Sequence, residues 1–157
     1  MEAFDGFIAA IGSEFNLQFI KDSEGAYTTN IEFENGRKQE ILITLSNDES
    51  GDRIIHYYSV IAKLKQDSND LFKYALELNS ALDYGAIVLM NEALVLRESI
   101  LLHHCEPQRF MKSLSYIAAK ADELEEIFVQ PNDEAKKMKI ISPGKKSGSK
   151  KKKTNKK

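Results

Sequence analysis

The stretch LFKYALELNSALDYGAIVLMNEALVLRESILL, residues 71–102, decides the fold. Leu71, Phe72, Ala75, Leu76 and Leu82 recur at helical spacing and predict a helix with one apolar face, closed by Leu78-Asn79. Gly85 then opens a strand over 86–90, and a second strand over 93–102 returns across Asn91-Glu92 as a hairpin. A helix followed by an antiparallel hairpin belongs to an α+β domain.

Upstream, Asp67-Ser68-Asn69-Asp70 offers several N-caps for that helix. Residues 53–64 are rich in β-branched and aromatic side chains (Ile54, Ile55, Tyr57, Tyr58, Val60, Ile61) and predict a central strand, or one covered on both faces. Before it, Tyr27, Thr29, Ile31 and Phe33 alternate with polar partners, and Ile41, Ile43 and Leu45 do the same on the return. Asn35-Gly36 between them is a hairpin signal, because both residues tolerate the positive φ of a type I′ turn. At the start, Phe4, Phe7, Ile8, Ile11 and Phe15 line one face of a helix that ends near Leu17, its last turn weakened by Gly12-Ser13. Downstream, Pro107 suits a first helical turn, and Phe110, Leu114, Ile117, Ala121, Leu124 and Phe128 form a narrow seam for packing on a sheet or helix.

The expected order is thus α-β-β-β-α-β-β-α. It makes a five-stranded, mostly antiparallel sheet with three helices over residues 1–130. Residues 131–157 have no periodic apolar face and cannot offset their ordering entropy by burial, so they are expected to be a disordered tail.

Charge divides along the same boundary. From Asp133 onward the chain has 11 lysines against two acids, +9, while the residues before it carry 11 basic and 22 acidic groups, −11. A lone cysteine, Cys105, allows no internal disulfide and suits a reducing compartment. The acidic start, Met1-Glu2-Ala3-Phe4-Asp5, is unlike a signal peptide, and no apolar run reaches membrane-spanning length. A cytoplasmic location is the expectation.

Leu78-Asn79, Gly85, Leu94-Val95-Leu96-Arg97 and Ala121-Asp122-Glu123-Leu124-Glu125-Glu126, in that order, resemble the class I type III secretion chaperones (the Tir-chaperone, or CesT-like, family) and the related YbjN-type proteins. The resemblance implies a small, acidic, homodimeric protein. It would hold an extended segment of a partner protein against apolar patches and sheet edges, as an adaptor without catalysis or cofactor. A YbjN-like regulatory role without secretion is the nearest alternative. The lysine tail departs from the pattern.

No residue set predicts catalysis. His103-His104-Cys105-Glu106 lacks a second ligand pair at metal-binding spacing and reads as a polar strand-to-helix connection. No base or orienting group is in view to activate Cys105. For partner binding, Phe4, Phe7, Ile8 and Ile11 are the candidates, since they are large for a terminal helix; the plainer reading is that they cap the sheet. Lys145, Lys146, Lys150, Lys151, Lys152 and Lys153 form a candidate anion-binding tail, which could bind nucleic acid, without sequence preference, or an anionic membrane by counterion release. Folding back onto the acidic domain is the plainer reading there.

Overall fold

The computed structural model describes residues 1–65 and 69–129. Asp67-Ser68 of the capping run and the lysine-rich segment 131–157 lie outside them.

The elements run α1 (Glu2–Phe15), β1 (Phe19–Ser23), β2 (Ala26–Glu32), β3 (Lys38–Asn47), β4 (Arg53–Lys63), α2 (Asn69–Leu78), β5 (Ala86–Met90), β6 (Ala93–Leu101) and α3 (Pro107–Val129). The strands form one antiparallel sheet in the order β1-β2-β3-β4-β6-β5. Six strands replace the expected five, and the addition is β1. Its sequence FIKDS is short and mostly exposed, so it lacks the alternation that marks a half-buried strand. Its only announcement is the turn at Gly25, where φ is +71°.

The β2–β3 hairpin does not use the type I′ turn expected at Asn35-Gly36. In the β2–β3 loop only Gly36 has positive φ. Its N–H donates to Phe33 O at 2.9 Å, and the Phe33 N–H donates to Arg37 O at 2.8 Å. This is a three-residue loop ending on a left-handed glycine, in place of the type I′ turn. Paired positive φ instead occurs at Asn91 (47°) and Glu92 (61°), the two residues between β5 and β6.

One face of the sheet carries the core. Tyr27, Ile41, Ile43, Ile55, Tyr57 and Leu96 from the strands meet Phe4, Ile8 and Ile11 of α1 and Phe110, Leu114, Ile117, Ala121 and Leu124 of α3. Phe110 sits at the junction, its ring edge-on to Tyr57 at 5.0 Å and to Phe7 at 5.4 Å. Phe128 ends the seam half-buried beside Tyr74. Arg37, just past the β2–β3 loop, donates to Asp122 at 2.8 Å and to Glu126, which clamps the far half of α3 to the sheet. α2 corrects one expectation: Ala75 is its buried residue, and Leu76 is 67% exposed.

Among the described residues every buried side-chain nitrogen and oxygen has at least one hydrogen-bond partner. Gln39 Nε2 donates to Ser59 Oγ at 2.7 Å, Ser59 Oγ donates to Glu40 O at 2.7 Å, and Thr29 Oγ1 donates to Gln18 O at 2.8 Å.

Candidate functional site

The structure separates the four apolar residues singled out on α1. Phe4, Ile8 and Ile11 are buried in the core, whereas Phe7 keeps part of its surface. Helical spacing placed all four on one face, and the sheet takes most of it. What α1 leaves accessible are two clefts beside it. One, about 460 Å³, lies between Ala3 and Phe7 on one side and Arg53, Leu102 and His103 on the other. The second, about 370 Å³, runs between Ile8, Ala9 and Gly12 and the chain from Leu17 to Phe19.

The second cleft exists because α1 and β1 approach closely. A Cβ on Gly12 would stand 2.9 Å from Leu17 O and 3.4 Å from the Phe19 ring at the start of β1, so only glycine fits without a shift. The helix leaves through Asn16 in the left-handed region (φ 53°), and the Leu17 N–H donates to Gly12 O at 3.0 Å. Asp5 latches the pair together. Its carboxylate accepts from Tyr27 OH at 2.7 Å and from Lys21 Nζ at 3.1 Å. Those two bonds, Tyr27 first, hold the Asp5 carboxyl below the ordinary carboxylate range.

The two sheet edges are not equivalent. At β5, Asn79 occupies the edge: its Oδ1 accepts from Ile87 N–H at 2.6 Å and its Nδ2 donates to Ile87 O at 3.3 Å. The side-chain amide stands in for a neighbouring strand at that residue. Among the described residues no hydrogen bond is made to the outer edge of β1. A free edge of this kind is a template for an added strand. Ile20 on β1 is 54% exposed, next to that edge, while Lys21 and Asp22 supply the charge that discourages indiscriminate pairing.

Other polar clusters are poorly suited to chemistry. On the sheet face away from α1 and α3, Arg97 Nη2 lies 2.9 Å and Ser99 Oγ 2.7 Å from His56 Nδ1, and Ser46 Oγ lies 2.7 Å from Nε2. Guanidinium can only donate, so Nδ1 accepts and Nε2 carries the proton. Burial, and then the Arg97 charge, lower the His56 pKa. A catalytic base needs an acid at that nitrogen to stabilise the imidazolium, and a cation there does the opposite. His103 and His104 stack with ring centroids 4.0 Å apart, and burial pushes the Cys105 thiol up to about 11, leaving it protonated. Among the described residues no three His, Cys, Asp or Glu side chains converge on a metal position. The lysines at 145, 146 and 150–153 lie outside the described residues.

Sequence reasoning missed Ala3, Ala9 and Gly12, which border the clefts, and Ile20 at the edge. Small residues flanking the apolar stripe of α1 were the available signal, since they leave room where larger ones fill it.

No family model matches the chain, and no curated protein matches it. Solved structures do. A chain of the HopA1-SchA chaperone-effector complex is similar over 79% of this chain and 94% of its own length, with a TM-score of 0.54 at 12% identity. A chain of the ExsC-ExsE complex is similar over 80% of this chain and 92% of its own, with a TM-score of 0.58 at 10% identity. The fold is that of the class I type III secretion chaperones, as the sequence resemblance implied.

Proposed function

We propose that this protein is a non-enzymatic, chaperone-like adaptor that holds an extended segment of a partner protein along the α1–β1 side of the sheet. The observation that carries this reading is the unoccupied edge of β1 beside the 370 Å³ cleft. A guest strand added to β1 satisfies its backbone at that edge and sends alternate side chains toward the cleft. The 460 Å³ cleft at Phe7 takes a further apolar group. Buried apolar surface then supplies affinity at roughly 25 cal/mol per Å², less the cost of ordering the guest. Similarity to a chain of the HopA1-SchA chaperone-effector complex supports the same reading.

The test uses exposed alanines that border the clefts, so that the core is left alone. Ala3→Arg and Ala9→Arg each fill one cleft from its rim. Both variants should fold normally by circular dichroism and lose at least tenfold in affinity for a partner captured by the unmodified chain. Capture at full strength by both variants would remove the clefts from the account. The lysine tail supports a second reading, a nucleic-acid-associated protein. Deleting residues 132–157 discriminates: the adaptor keeps its partner, and a tail-driven polyanion binder loses retention on heparin.

Homodimerisation belongs to the proposal. Leu76 at 67% and Leu89 at 54% exposure lie on α2 and β5, which pack together at one end of the sheet. β5 is uncharged, AIVLM, and beyond the one residue that Asn79 caps it leaves Leu89 exposed, so a second copy packs there through side chains. The double variant Leu76→Glu/Leu89→Glu is expected to sediment as a monomer where the unmodified chain sediments as a dimer.

A further inference from the structure

A third cleft, about 400 Å³, opens where β4 and β6 meet the first turns of α3 and shares no lining residue with the two beside α1. Its lining includes a hydroxyl pair, Tyr57 OH and Ser113 Oγ, 2.7 Å apart. Two hydroxyls share one hydrogen bond there, so one O–H proton is left without an acceptor among the described residues. Arg109, Lys112 and His104 complete the polar lining, with Tyr84 as an aromatic wall. Neither Arg109 nor Lys112 has an acidic partner among the described residues, although the sequence before Asp133 is strongly acidic. The one carboxylate in the lining, Glu98, already accepts from Gly85 N–H at 2.7 Å and Ser99 N–H at 2.8 Å.

We infer that this cleft binds a compact oxyanion, a carboxylate or phosphate group, between Arg109, Lys112 and the Tyr57–Ser113 hydroxyls. The chemistry follows from the donors. Two unpaired cations and a spare hydroxyl proton all lack an acceptor, and charge-assisted bonds to an oxyanion satisfy them together. Desolvation is modest, because both cations are exposed at the rim. The oxyanion has two possible sources, a free small anion or an acidic side chain of a bound segment. The site does not depend on the α1–β1 groove, so either proposal can fail alone.

The experiment is an amide-resolved NMR titration of the full chain with inorganic phosphate and, separately, with N-acetyl-glutamate amide. Saturable shifts centred on Tyr84, Glu98, His104, Arg109, Lys112 and Ser113 are expected. Arg109→Ala/Lys112→Ala should weaken them at least tenfold, and Glu98→Gln should strengthen them by removing the one negative charge. Both variants alter exposed or half-buried side chains and should keep the spectrum of a folded protein. Tighter binding of phosphate supports a free anion, and tighter binding of the glutamate amide supports a guest side chain. Shifts confined to the lysines after Lys136, unchanged in the double variant, overturn the proposal, as does the absence of saturation with both probes.

Discussion

Phe110→Ala should lower the stability of the domain by about 3–5 kcal/mol, the range for a phenylalanine deleted from a packed core. Phe110 is fully buried, and two edge-on ring contacts, to Tyr57 and Phe7, end with it. It joins α3 to the sheet and to α1, so little around it is free to close the hole. Equilibrium unfolding in urea reads the loss, and Phe110→Leu should recover more than half of it by refilling most of the volume. The substitution also removes the ring against which Phe7 rests, and so loosens one wall of the 460 Å³ cleft. A loss below 1 kcal/mol would show that α1 and α3 do not meet there.

The second large effect is expected at Gly85, which opens the β5–β6 hairpin. Its φ of +71° is in the left-handed region, and a Cβ would stand 2.7 Å from Arg97 O and 2.9 Å from Ile117 Cδ1. The carbonyl belongs to β6, which is paired on both sides by β4 and β5 and cannot yield cheaply. Backbone strain of about 1–2 kcal/mol and the displacement of a packed strand together put Gly85→Ala at roughly 3 kcal/mol or more. The hydrogen bond from Gly85 N–H to Glu98 is lost if the turn opens. Thermal unfolding of the variant should begin at least about 6 °C lower for a domain of this size. As a control, Gly36→Ala shares the positive φ but has open space around its Cβ, and should cost only the backbone strain.

Much of this fold can be read from residues alone, for identifiable reasons. Long periodic segments such as the seam from Phe110 to Leu124 declare themselves because every period is buried against the same sheet. Gly85 was legible as the start of a hairpin, though not the carbonyl and methyl that make it irreplaceable. β1 was not legible: with one face to solvent and charges at Lys21 and Asp22, it carries no alternation, and only pairing with β2 makes it a strand. The turn at Asn35-Gly36 shows a different limit, since the dipeptide permits a type I′ turn without requiring one. Leu76 shows a third. Helical periodicity counted it with its neighbours, yet α2 is short and buries Ala75 instead.

The candidate site was half visible for the same kind of reason. Periodicity located the apolar face of α1 but not how much of it the sheet consumes. Phe4, Ile8 and Ile11 serve the core, and the accessible ground lies beside them. One cleft needs distant segments to meet, Phe7 and Leu102, which nothing local in sequence encodes; the other borders the tight turn from Gly12 to Leu17, whose local signals are Gly12 and Asn16. Nor does sequence show that Asn79 caps Ile87 at one sheet edge while β1 at the other has no such cap among the described residues.

The most direct test of the adaptor proposal is amide hydrogen exchange of the full chain, free and bound to the partner it captures. Slowed exchange in Phe19–Ser23 on binding, with β5 little changed at Ile87, is the result expected of a guest strand added to the β1 edge. Unchanged exchange throughout β1, with protection confined to β5 or to residues after 131, would contradict it.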